Sequence, residues 1–191
     1  KNKMSIWVNT KSIVFVLVLF CLSFLSHSKN LITTFNSEGM RLKAEKTMGG
    51  LNTPWGMTFL SESELLVTER EGSILLVNLN NSTKIKLLNT PIVMAEGQGG
   101  MLDVALPPNY KKTGWIYFTF VKNIEDEGVT VLARAKLKNT TLYNWQELLV
   151  SESASDTSRH FGSRISFDND GHVFFSIGDR GERPNAQDLT S

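Results

Sequence analysis

All-β is the fold class that this 191-residue chain predicts, on three observations. Short apolar runs rich in β-branched and aromatic residues alternate with turns that carry Gly, Asp, Asn, Ser or Pro. No amphipathic helix of ordinary length shows beyond residue 28. One unit, strand, polar turn and strand, also recurs: "GMTFLSESELLVTEREG" from Gly56, "LDVALPPNYKKTGWIYFTFV" from Leu102 and "SRISFDNDGHVFFSIGDRG" from Ser163. Phe59 and Phe167 hold matching places in the first and third copies, with the second between them, so the period is roughly 50 residues. Four-stranded units stacked face to face at such a period are the blades of a β-propeller. An open sandwich has similar turn spacing, but the fixed recurrence favours the propeller. Two to three units are recognisable, and a closed propeller carries about 4 to 8 blades. The sequence therefore reads as a fragment that stops at Ser191, in mid-loop.

The elements follow in chain order. Lys1, Lys3 and Lys11 precede an apolar stretch, 13–25, that is shorter than the roughly 20 residues a membrane-spanning helix needs. Basic residues, a short apolar run and then Ser26 and Ser28 predict a secretory signal peptide over 1–28, with an uncleaved N-terminal anchor as the alternative. After cleavage no stable membrane insertion is expected. The single cysteine, Cys21, lies in that segment, so the mature chain uses neither disulfides nor cysteine-type structural zinc. Residues 29–48 are a lead-in with a first strand around 37–44. From residue 49 to 191 the texture is that of a partial propeller. Strands are predicted at 57–60, 65–69 and 74–79, with a turn at Glu71-Gly72. Asn81 and Asn139 match glycosylation sequons, a pattern that matters only in a eukaryotic secretory route.

The totals exclude some functions. Lys and Arg number 20 against 19 Asp and Glu, and no basic run interrupts the mature region, which argues against a nucleic-acid partner. No two His or Cys stand at metal-ligand spacing, so no transition-metal site is inferred. Neither a nucleophile elbow nor a Gly-x-Gly-x-x-Gly turn is present.

Four stretches remain as candidates for chemistry. In "PWGMTF" (54–59), Trp55 is expected to pack between blades, as Trp usually does. In "EGQGGMLDVAL" (96–106), the glycines allow close backbone approach and Gln98 is the polar handle among them; a flexible turn before a buried strand is the plainer reading. His160 precedes a strand behind a Ser/Asp-rich loop. On pattern alone a capping or surface histidine is the better reading, whereas His172, in an Asp-Gly turn, reads as solvated. In "IGDRGERPNAQDL" (177–189), Asp179 ends the strand that pairs with the one after His160. A hairpin brings the start of one strand beside the end of the next. Asp179 could then hold one ring nitrogen of His160 and make the other a general base. Alternatively, Asp179 and Arg180 merely cap the turn as an ion pair of small value.

The phrases "LNTPWGMTFL", "LLVTEREG", "GQGGMLDVALPPNY" and above all "HFGSRISFDNDGHVFFSIGDRG…AQDL" resemble the glucose/sorbosone dehydrogenase family, the soluble quinoprotein aldose dehydrogenases. The resemblance covers about residues 50–191. It implies a six-bladed propeller with pyrroloquinoline quinone over one end of the channel and calcium holding the cofactor. It implies oxidation of a sugar C1 hydroxyl to a lactone, outside the cytoplasm (secreted or periplasmic), with electrons passed to an external acceptor. By the same resemblance His160 is the base, Asp179 orients it and Gln98 contacts the sugar. Gln187 and Arg180 contact the cofactor, with Arg183 or Asn185 as substitutes for Gln187. Arg159 stands where glucose-oxidising members carry an acidic residue, which turns the expectation towards the broader aldose branch. The calcium ligands and most cofactor ligands are expected beyond residue 191, so the fragment alone is expected to be inactive. A non-catalytic secreted propeller that binds partners is the alternative, and a calcium-propeller hydrolase a third reading, disfavoured by the mixed channel residues.

Overall fold

The computed structural model describes residues 30–190. The predicted signal peptide and Cys21 lie outside them. Residues 30–49 and 50–190 form separate compact units. In the first, β1 (Asn30–Ser37) pairs antiparallel with β2 (Met40–Lys46). The turn between them is Glu38-Gly39, both at positive φ, as two-residue hairpin turns require. It falls inside the window expected to hold a single strand at 37–44. That expectation is corrected: the segment is a hairpin, broken where Gly39 supplies the left-handed conformation.

The second unit is all-β and follows the predicted repeat. β3 (Pro54–Phe59), β4 (Glu64–Glu69), β5 (Ile74–Asn78) and β6 (Thr83–Lys86) form an antiparallel meander. A second meander contains β7 (Met101–Ala105), β8 (Trp115–Ile124), β9 (Glu127–Lys138) and β10 (Thr141–Val150). One helical turn, α1 (Tyr110–Thr113), joins β7 to β8. A third sheet begins with β11 (Ile165–Phe167) paired to β12 (Val173–Phe175). Consecutive sheets meet through their first strands: β7 packs on β3 and β4, and β11 packs on β7 and β8. This is the stacking of propeller blades, two of them four-stranded and a third opened.

The burial pattern explains the sequence texture. Residues 65–69 of β4 are all buried, because a middle strand is covered on both faces, and such strands read as continuous rather than alternating. The outer strand β6, "TKIK", is fully exposed and carries two lysines, which discourage pairing with another chain's edge. The main core lies between the first two blades, around Leu66, Ile74, Met101, Ile116, Phe118 and Val131. Trp55 is not buried between blades as expected; it is 41% exposed. On β3 only Gly56 turns fully inward, against Asp103, so its neighbours Trp55 and Met57 face the other way, as strand alternation requires.

Buried threonines stitch one blade to the next. In the first blade Gly56 N–H donates to Thr68 Oγ1 at 2.9 Å, and that hydroxyl donates to Leu102 O at 2.5 Å. One repeat later Asp103 N–H donates to Thr119 Oγ1 at 3.0 Å, and Thr119 donates to Ser163 O at 3.0 Å. Thr68 and Thr119 are both fully buried, so each hydroxyl satisfies a donor and an acceptor that water cannot reach. Thr119→Val keeps the shape but leaves both partners unpaired, and it is expected to destabilise the complete protein by about 2–3 kcal/mol. Equilibrium denaturation measures this; an unchanged midpoint would contradict the stitching role.

Candidate active site

The loop 151–164 crosses from the second blade to β11 without regular structure and is fixed by side chains instead. Thr130 of β9 donates its hydroxyl to Phe161 O at 2.9 Å. Phe161 is buried with Leu102 and Val121. Ser163 N–H donates to Ser176 O at 2.7 Å, which ties the loop to the strand that leads into Gly178-Asp179. There the two segments touch. A Cβ at Gly178 would lie 2.1 Å from the carbonyl oxygen of His160, so only glycine permits this approach.

His160 itself is at φ +55°, a left-handed conformation that costs a non-glycine residue about 1–2 kcal/mol. Two bonds hold it there. Its backbone N–H donates to Gln98 Oε1 at 2.9 Å. Its ring Nδ1 lies 2.6 Å from Asp179 Oδ1, which also accepts the Gly181 N–H at 2.8 Å. The His160 hydrogen bond, then that from Gly181, holds the Asp179 carboxyl below the usual carboxylate range. An ionised carboxylate can only accept, so Nδ1 carries the hydrogen, and in the neutral imidazole Nε2 keeps its lone pair. The His160 side chain is about half exposed, at 47%, against 17% for Asp179. A ring with one nitrogen anchored and the other basic is a proton acceptor open to a ligand.

The glycine-rich loop supplies Gln98. Gly97 has φ +54°, and a Cβ on it would meet Ser158 O at 2.3 Å; Gln98 N–H donates to that same oxygen at 2.8 Å. The glycines thus permit close approach to the His160 loop rather than merely flexing. Because the Gln98 amide oxygen is engaged by His160, its NH2 end is what it offers a ligand.

Arg180 corrects a prediction. The sequence assigned it to the cofactor or to an ion pair with Asp179, yet it is only 4% exposed and turns inward. Its Nε donates to Arg159 O at 3.0 Å, Nη1 to Gly128 O at 2.8 Å and Ser153 O at 3.2 Å, and Nη2 to Thr157 O at 2.6 Å. The guanidinium carbon stacks 3.8 Å from the centre of the Phe161 ring. Burial lowers its pKa from the ordinary arginine value, against the charge of Glu127. A side chain committed to four carbonyls and a ring has no face left for a cofactor.

Gln187 lies exposed on the 3-10 turn Arg183–Gln187, and the bonds that join Gln98, His160 and Asp179 do not extend to it. Arg183, exposed on the same turn, acts on the Asp179 carboxylate through its charge. The Arg159 guanidinium rests where a Cβ on Gly181 would lie, 2.9 Å from that position. Arg164 is 75% exposed at the side chain and reaches Asp103 Oδ1 at 3.2 Å.

Sequence reasoning missed Asp103. It is 2% exposed, and its other oxygen accepts Ile165 N–H at 2.8 Å, so it fixes the start of β11 just after the His160 loop. Its signal was a lone carboxylate in the apolar run "MLDVAL". His172 is exposed, as expected of a histidine in that turn. Although 69% exposed at the side chain, it pairs through Nδ1 with Asp168 Oδ2 at 2.7 Å. A His–Asp contact therefore does not by itself mark the site; the left-handed backbone and the Gln98 contact set His160 apart. Among the described residues no group of three His, Cys, Asp or Glu is placed to hold a metal ion.

Comparison with known proteins gives a consistent result. The pattern of the glucose/sorbosone dehydrogenase family matches residues 51–191. The aldose sugar dehydrogenase YliI of Escherichia coli is 30% identical over 144 residues, 73% of this chain and 38% of that protein. The structure of the soluble aldose sugar dehydrogenase of Escherichia coli in the apo-form superposes with a TM-score of 0.72 at 29% identity, over 76% of this chain and 43% of that one. The PQQ-bound form of the aldose sugar dehydrogenase of Streptomyces coelicolor does so with a TM-score of 0.64 at 28% identity, with the same coverage. The chain thus spans roughly two fifths of the length of these relatives.

Proposed function

The chain belongs to the glucose/sorbosone dehydrogenase family, and from that premise we propose that the complete protein oxidises the C1 hydroxyl of an aldose to a lactone with pyrroloquinoline quinone, His160 being the base. The observation that carries this reading is the 2.6 Å contact from His160 Nδ1 to Asp179, which leaves Nε2 free to take a proton. The PQQ-bound relative supports the choice of quinone.

The donor chemistry beside the pair suits a carboxylate-bearing quinone: Arg159 and Arg183 are exposed, and so is Gln187 on the turn that follows Asp179. Gln187, or Arg183 or Asn185 in its place, would hold it. When bound, the quinone supplies the two-electron sink of the reaction. The remaining work falls to this chain. The Gln98 NH2 orients the sugar by a hydrogen bond. His160 Nε2 takes the proton from the C1 hydroxyl as the C1–H bond gives up its hydride. Asp179 stabilises the imidazolium that forms and keeps the ring in one tautomer. Among the described residues no helix is long and apolar enough to cross a membrane. The basic-then-apolar N-terminus supports a protein that works outside the cytoplasm, where an external acceptor would reoxidise the cofactor.

The test is to load the complete protein with quinone and follow dye reduction with a panel of aldoses. Quinone-dependent turnover is expected. Sugar binding without turnover in fully loaded protein would contradict the proposal and favour a non-catalytic binding propeller.

A further inference from the structure

We propose that Arg180 is a positioning residue for His160, a buried clamp that sets where the base stands. The inference rests on His160 being the base.

The four carbonyls that Arg180 binds come from four different places: Gly128 at the start of β9, and Ser153, Thr157 and Arg159 along the loop. Three of the four belong to the segment that delivers His160, and the last, Arg159, is its immediate neighbour. The loop has no strand or helix of its own around His160, so these bonds take the place of secondary structure. A planar guanidinium can bridge several carbonyls at fixed angles, which a lysine ammonium cannot reproduce. Phe161, on the other side of His160 in the chain, lies with its ring against the same guanidinium, and its carbonyl accepts from Thr130. The neighbours of the base on both sides therefore touch one side chain.

The clamp is also coupled to Asp179. Arg180 follows Asp179 directly and is itself left-handed, at φ +54°. Its own carbonyl accepts the Thr157 hydroxyl at 2.6 Å, while its guanidinium binds Thr157 O. Backbone and side chain of Arg180 thus grip the same loop residue from the segment after β12 that carries Asp179. Base and orienting carboxylate are set by one device, which fixes their 2.6 Å separation. No carboxylate touches the guanidinium among the described ion pairs. A charged group buried on carbonyls and a ring, without an ion-pair partner, makes a poor stabiliser of a fold but a stiff organiser of a loop.

The test uses the complete, quinone-loaded protein. Arg180→Lys is expected to lower kcat by about ten- to a hundredfold, the penalty of displacing a reacting group by about an ångström, while KM for the aldose stays within about threefold, because Gln98 and the binding surface remain. Added guanidinium ion is expected to restore part of the lost kcat in Arg180→Ala and none in His160→Gln. A wild-type kcat in folded Arg180→Lys would overturn the inference, as would a loss confined to KM. Should Arg180→Lys fail to fold, Thr157→Val decides: it keeps the guanidinium but removes the hydroxyl from Arg180 O. A severalfold drop in kcat supports the clamp and an unchanged kcat overturns it. His160→Gln separates the two claims. Full activity in that variant removes the base itself, whereas an inactive His160→Gln beside a fully active Arg180→Lys removes only the clamp.

Discussion

Replacing His160 with Gln in the complete, quinone-loaded protein is expected to lower kcat for aldose oxidation by about a hundredfold to ten-thousandfold. The amide fills the same space and accepts hydrogen bonds, but it cannot hold the proton that leaves the C1 hydroxyl. The neighbouring backbone is unaffected in principle, since the N–H of residue 160 still meets Gln98 Oε1. KM should therefore change little, and the folded fraction by circular dichroism should match wild type. Steady-state kinetics decide: a rate within about threefold of wild type would leave the site without its base.

Asp179→Asn is the second large effect. The carboxylate accepts from His160 Nδ1 and from Gly181 N–H, and an amide can present either its oxygen or its NH2 to the ring. If the NH2 faces Nδ1, the imidazole must turn to the tautomer that protonates Nε2, and the base is lost. An analogous exchange in serine-protease triads costs about ten-thousandfold, and a loss in kcat of about 10²–10⁴ is expected here. The pH dependence carries the same information. Asp179 is held below the usual carboxylate range by the His160 hydrogen bond first and the Gly181 N–H second. Because its folded-state value is depressed, its contribution to stability is present above the unfolded value, near 3.9, and is lost as pH falls through the lowered folded value. In acid titrations monitored by unfolding midpoint, Asp179→Asn should be less pH-sensitive than wild type in that acid window and should match its slope above it. Identical acid slopes would deny the pairing.

How much of this was legible in the sequence follows from which residues obey periodic rules. β4 and β5 appeared where apolar residues sit between turn residues, and their edges moved by one residue: 65–69 became Glu64–Glu69 and 74–79 became Ile74–Asn78. The repeat was visible because each blade needs the same strand, turn and strand. The approach of Asp179 to His160 was foreseeable from hairpin geometry alone. Side-chain direction was not. Nothing in "GDRG" says that the arginine turns into the protein, since its inward course depends on carbonyls as far away as Gly128. The same holds for Trp55, whose exposure was decided by Gly56 meeting Asp103. The hairpin at 30–46 was read as one strand because only "MRLKAEK" alternates apolar with polar residues, whereas its partner "NLITTFNS" does not.

The central claim is that His160 presents a bare Nε2 because Asp179 holds the hydrogen on Nδ1. Nitrogen-15 NMR of the complete protein, labelled at histidine and assigned by comparison with His160→Gln, reads the tautomer directly once the ring is neutral. The account predicts a protonated Nδ1 and an unprotonated Nε2 for His160, with that pattern lost in Asp179→Asn. A hydrogen on Nε2 with Nδ1 bare, or a ring that exchanges freely between the two forms in the wild type, would contradict it.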